Sequence, residues 1–158
     1  MAALRLAPAA RWVWRALILF LVAFIGIQFV RPDRTNPPAP IEASLKAKAP
    51  PHITALLDRA CRDCHSNETE WPWYTSVAPT SWFVANHVHD GREHFNYSEW
   101  NTYDSDDQDK LLGGMCDLVK RGRMPMPSYL LIHRESKLSP ADVTALCTWS
   151  DKMRDTLQ

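Results

Sequence analysis

Residues 61–65 read Cys61-Arg62-Asp63-Cys64-His65. Two thiols three residues apart, followed at once by an imidazole, form the attachment pattern of a c-type haem. The sulfurs add across the two vinyl groups, and the histidine turns back to ligate iron from one side. On a short helical turn all three side chains share one side, so a flat macrocycle is stapled by its edge while the imidazole stands perpendicular to it. A bare C-x-x-C also fits half a zinc site or a thioredoxin-like dithiol. Zinc needs a second close ligand pair, yet Cys116 and Cys147 stand 31 apart with no C-x-x-C or H-x-x-x-H companion. A thioredoxin-like centre needs a βαβ pattern, and none is found. Cys61 and Cys64 are therefore expected to form haem thioethers and His65 to be the proximal iron ligand, with one covalent haem c per chain.

Immediately upstream, Ile53, Leu56, Leu57 and Ala60 repeat at helical spacing behind Pro50 and Pro51, so a short helix runs directly into Cys61. Residues 31–51 hold six prolines and few apolar side chains. That composition reads as an extended, semi-rigid spacer. Further upstream, Ala16 to Val30 is apolar except for Gln28, with Arg5, Arg11 and Arg15 ahead of it. Trp12, Val13 and Trp14 extend the run toward spanning length, and Arg15 can snorkel. No small-x-small cleavage site follows, so an uncleaved signal anchor is expected rather than a removed signal peptide. The arginines place the N-terminal tip in the cytoplasm and the remainder in a bacterial periplasm. The expected organisation is a tip and single-pass inner-membrane anchor at 1–30, a linker at 31–51 and a haem-binding domain at 52–158.

Downstream of His65, residues 66–79 combine turn formers and prolines with Trp71, Trp73 and Tyr74, giving a long aromatic-rich loop. Ser81 caps a helix through Val88 that Gly91 should stop. His87, His89 and His94 lie on or just beyond it, but His87 and His89 are two apart and cannot ligate jointly from one helix face. Ser105 with Gln108 reads as a capping box for a helix carrying Leu111, Leu112, Met115, Leu118 and Val119, which ends at Gly122. Gly113 and Gly114 inside it suggest close approach of another helix or of the macrocycle. The last helix is the best marked. Ser139 caps it, Pro140 sits at N1, Asp142 completes the box, and Leu138 staples to Val143.

Between these helices lies Gly122-Arg123-Met124-Pro125-Met126-Pro127. Iron held by one histidine takes a thioether, a second histidine or an open position on its other side. Met124 leaves a helix C-terminus and is stiffened by the proline after it, which favours it as distal ligand. Met126, His133 and an open site stay as alternatives. In an oxidising compartment Cys116 and Cys147 are expected to form a disulfide between the last two helices. Eighteen basic and eighteen acidic side chains cancel, so no basic field argues for nucleic acid.

Several motifs together carry a family resemblance: C-x-x-C-H-S-N-E-T from Cys61, W-P-W-Y from Trp71, Ala78-Pro79-Thr80-Ser81-Trp82, Gly91-Arg92, Asn96-Tyr97-Ser98-Glu99-Trp100, Gly122-x-Met124-Pro125 with Tyr129 and His133, and Leu138-Ser139-Pro140. Over roughly residues 28–150 the chain resembles the bacterial haem-binding-domain family of single-haem c-type proteins. The resemblance implies an all-α, cytochrome c-like fold and an exported haem protein. Two functions compete. One is a membrane-anchored monohaem cytochrome passing single electrons between unidentified redox partner proteins. The other is a haem-based sensor or peroxidase-like enzyme with a labile sixth ligand.

Overall fold

A computed structural model of the chain describes residues 8–157. Arg5, counted among the charges ahead of the apolar run, lies outside the described residues. Among the described residues seven α-helices follow in order: α1 (Pro8–Ile27), α2 (Pro51–Ala60), α3 (Arg62–His65), α4 (Thr80–His94), α5 (Ser105–Lys120), α6 (Pro127–Leu130) and α7 (Pro140–Asp155), joined by loops and 3-10 turns. The protein is all-α, with no strand among the described residues. Its described residues group into two compact units, one comprising those up to Arg34 with Trp71–Asn86, the other Thr35–Glu70 with those from His87 onward.

In the first unit, α1 is apolar apart from Arg11 and Arg15 in its first half, and it exposes that apolar surface. Its Ala9–Ile27 window has a mean hydropathy of 1.8 and none of it is buried. At 20 residues the helix is about 30 Å long, the thickness of a bilayer's hydrocarbon core. The chain leaving it is bonded to residues 75–82. The Gln28 side chain donates to the Ala78 carbonyl at 3.3 Å and accepts from its N–H at 2.8 Å. The Trp82 indole donates to the Val30 carbonyl at 2.7 Å, and Arg34 donates to Thr75 and Ser76.

The second unit is built on α2, α5 and α7. Ile53, Leu56 and Leu57 of α2, Leu112 and Met115 of α5, and Leu146 and Trp149 of α7 close one core with Tyr97 and Trp100. The 3.6-residue repeat puts each set on one stripe, and removing that stripe from water is what holds the helices together. Leu45 also lies in this core, fully buried. That corrects the expectation of a spacer reaching to residue 51: 3-10 turns at Ile41–Ala43 and Leu45–Lys48 pack on the turn at Tyr97–Thr102. Lys46 bridges Asp58 and Glu68 there, with its ammonium 5.9 Å over the Tyr97 ring. Burial opposes that charge, but the two carboxylates outweigh it and raise the pKa.

Three helix boundaries differ from the sequence reading: α4 begins at Thr80, so Ser81 lies inside the helix rather than capping it. Gly91 does not stop α4, which continues to His94. Asp104, one residue before Ser105, caps α5 by accepting from the Asp107 N–H at 2.9 Å. The α7 capping box forms at Ser139 and Asp142. Gly122 has φ of 63° just past the end of α5, a conformation in which a Cβ would clash with the backbone. A disulfide joins Cys116 of α5 to Cys147 of α7, their Cα atoms 5.1 Å apart.

Candidate haem site

The second unit encloses a cavity of about 490 Å3, walled by α3, α4, α5 and the loop into α6. Cys61, Cys64 and His65 stand on one wall, and Met124, Pro125, Met126 and Tyr129 line it as well. The remainder is mainly apolar and includes Phe95, Leu111, Met115, Leu118 and Val119.

Local bonding explains why the five-residue stretch turns as it does. The Cys61 N–H still bonds back to the Leu57 carbonyl, so α2 delivers the first cysteine, and the His65 N–H bonds to the Cys61 carbonyl at 2.9 Å to close α3. The segment after it is held without regular structure. The Ser66 hydroxyl donates to the Arg62 carbonyl and accepts from the Glu68 N–H. Asn67 is buried, its N–H on Ser98 and its carboxamide between Glu99 and Asn96. Buried polar groups need such partners. The S-N-E and N-Y-S-E motifs are two halves of one network.

His65 is fixed by α4. Its Nδ1 lies 3.0 Å from the Gly91 carbonyl oxygen and 2.9 Å from that of Phe95. Both are acceptors, so Nδ1 carries the proton and Nε2 keeps its lone pair. Burial holds the imidazole pKa below its ordinary value against the pull of those carbonyls, keeping the ring neutral. The contact requires glycine at 91. A Cβ there would fall 2.4 Å from the Cys64 carbonyl oxygen, closer than real Cβ atoms come.

Arg92, next in sequence, donates to the Ser66 and Thr35 carbonyls, Asn36 Oδ1 and Thr69 Oγ1, each at 2.8 Å. Across the cavity, Tyr129 donates to Asp63 Oδ2 at 2.8 Å, tying the methionine loop to the residue between the two cysteines. None of these positioning contacts follows from spacing. Their one trace in the sequence is that Gly91-Arg92 and Tyr129 belong to the motifs quoted above.

Burial pushes the Cys61 thiol up to about 12 and the Cys64 thiol to about 11. A dithiol redox centre wants at least one pKa lowered. Among the described residues no three His, Cys, Asp or Glu side chains converge as a metal set. Iron in a porphyrin has four nitrogens already and needs only axial donors. Met124 and Met126 both reach the wall, and so do His87 and His94. His133 is not among the lining residues; it stacks on Tyr129 at 4.2 Å and faces Glu135. His89 pairs with Glu93 on the surface.

A profile of the haem-binding domain matches residues 22–152. The chain belongs to the haem-binding-domain family. No curated protein and no solved structure matches it. The residues of this haem-binding domain suit the cofactor. The cavity is mainly apolar, of the size that encloses a flat organic ligand, and the neutral imidazole of His65 and the thioethers of Met124 and Met126 all line it. Gly114, on the α5 wall, leaves open space where a side chain would stand. Gly113 beside it serves helix packing instead, its Cβ position 3.3 Å from the Arg154 guanidinium of α7.

Proposed function

We propose that this haem protein is a membrane-anchored, periplasm-facing monohaem c-type cytochrome that transfers single electrons. Cys61 and Cys64 hold the haem through thioethers, His65 is the proximal ligand and Met124 the distal one. The observation that carries the reading is the doubly accepted Nδ1 of His65, which leaves Nε2 to iron on the wall shared with both cysteines. When bound, the haem supplies a one-electron couple whose potential its axial ligands and surroundings set. The chain's own residues do the rest. Gly91 and Phe95 carbonyls orient the imidazole and raise its basicity as a ligand. The apolar wall excludes water, which disfavours added charge and limits rearrangement on electron transfer.

Met124 is presented rather than left to wander. The Arg123 N–H bonds the Leu118 carbonyl at 2.9 Å just past the α5 terminus, and Met124 rests on a small cluster of Val119, Cys116 and Cys147. Tyr129 and Asp63 close the loop from its other end. An apolar α1 of spanning length, with Arg11 and Arg15 in its first half, supports a single-pass anchor. Partners are a donor and an acceptor protein, without nucleic acid.

The test is the full chain matured in a bacterium that attaches haem c. One haem added to the polypeptide mass, a c-type pyridine haemochrome and the weak red charge-transfer band of thioether-bound ferric iron are expected. In Met124→Ala that band disappears and the reduced protein binds carbon monoxide. A colourless product at bare polypeptide mass overturns the assignment. Carbon monoxide binding by the unaltered chain would instead favour the sensor or peroxidase-like function.

A further inference from the structure

The end of α1 at Ile27 lacks something that its beginning has. Trp12 and Trp14, 71% and 60% exposed, form a tryptophan pair near the N-terminal end, as membrane helices carry at the water interface. At the other end, Phe24 to Val30, the aromatic residues are phenylalanines alone. The structure brings the missing aromatics from elsewhere in sequence. Gln28, one residue past the helix, grips Ala78 by both its N–H and its carbonyl. Trp82 bonds the Val30 carbonyl, and Arg34 holds Thr75 and Ser76. These bonds keep residues 71–83 within a few residues of the point where α1 ends. On that segment Trp73 is 79% exposed and Phe83 54%, beside Phe29 at 82% and Val30 at 63%. So much exposed aromatic surface on segments bonded to the end of an apolar helix is unusual in water.

We infer that residues 71–83 dock on the outer interfacial layer of a phospholipid bilayer, forming the second aromatic belt of the anchor. The inference rests on α1 being a membrane span. Tryptophan suits the layer because its ring is apolar while its indole N–H donates to a wet neighbour. Arg31 and Arg34 follow the span closely and suit lipid phosphates just above it. The occupant is lipid rather than a protein partner because the segment is bonded to the residues that directly follow a helix whose exposed apolar run, Ala16 to Ile27, calls for lipid.

The full haem-loaded chain in phosphatidylethanolamine/phosphatidylglycerol nanodiscs provides the test, with a nitroxide on one introduced cysteine in each of Leu19→Cys, Trp73→Cys, Val77→Cys and Asp151→Cys. Val77→Cys keeps Trp73 in place. Power saturation compares collisions with oxygen, which partitions into lipid, and with a water-soluble nickel chelate. The oxygen-to-nickel ratio should be highest at 19 and lowest at 151, and at 73 and 77 shifted well above the value at 151. Ratios at 73 and 77 equal to that at 151, with 19 still lipid-like, overturn the inference alone. A water-like ratio at 19 overturns the span reading and the inference with it. Shielding of 73 from both reagents, with dipolar broadening between labelled chains, assigns the patch to a second copy and also overturns it.

Discussion

Replacing Gly91 with alanine tests the packing that orients His65. The added Cβ would lie 2.4 Å from the Cys64 carbonyl oxygen and 3.1 Å from that residue's carbonyl carbon and Cβ, where 3.0 Å is the practical lower limit. α4 and α3 must therefore separate by at least about 0.6 Å, and by about 1 Å for relaxed contact. Both sides of the clash are backbone or nearly so, and no rotamer change relieves it. Overpacking of this kind costs about 1–3 kcal/mol. Opposing it, alanine is better than glycine inside a helix by up to about 1 kcal/mol. The same displacement stretches the 3.0 Å contact between His65 Nδ1 and the Gly91 carbonyl, adding about 1 kcal/mol for a hydrogen bond weakened or lost. A net loss of roughly 1–3 kcal/mol is expected. Denaturant unfolding of the haem-loaded chain measures it as a lower midpoint at unchanged slope. Redox titration reads the second consequence, a potential shifted because the His65 imidazole, the proposed iron ligand, has lost one acceptor. Unchanged midpoint and potential would refute the reasoning, since a Cβ would then fit where the geometry has no room.

Other substitutions probe separate contacts. Tyr129→Phe deletes the bond to Asp63 while leaving the ring stacked on His133, and should cost about 1.5–3 kcal/mol as a hydrogen bond to a charged acceptor; a weakened red charge-transfer band and new carbon monoxide binding would check the looser methionine loop. Cys116→Ser with Cys147→Ser removes a cross-link over 31 residues, worth roughly 3–4 kcal/mol by loop-closure entropy, and calorimetry should show the corresponding fall in Tm. Gly114→Phe fills the open space on the α5 wall and should lower the haem-to-polypeptide ratio of the purified protein, read by pyridine haemochrome against total mass. Stability should also fall in acid. The Ser139 N–H and Arg59 hold the Asp142 carboxyl below its ordinary 3.8, and Arg154 holds down Asp109. A folded-state pKa below the unfolded one contributes stability that is complete above about pH 4 and is lost as pH falls through the lower, folded values. Asp142→Asn should flatten that slope in chemical denaturation between pH 5 and pH 3.

Local signals carried far in this chain. The C-x-x-C-H turn, the Ser139 capping box, the glycine past α5 and the apolar run of α1 each depend on residues adjacent or one helical turn apart, and such patterns are written directly in the order of side chains. Pairings between distant segments were harder to read. Leu45 lies among prolines and lysines, so its neighbourhood resembles a spacer, yet it enters the core because Tyr97 and Trp100 provide an apolar surface about a third of the chain away. Gly91 looked like a helix stop because glycine often is one. Its role as a contact point is visible only once α4 lies against Cys64.

By itself, then, the order of residues determined the C-x-x-C-H turn, the all-helical character and the apolar α1, because periodicity and capping act over a few residues. Tertiary structure alone decided which imidazole nitrogen faces the cavity, which of the candidate ligands reach its wall, and where Tyr129 is tied. Those outcomes depend on carbonyls and carboxylates from segments tens of residues apart, and only packing brings them within hydrogen-bond distance.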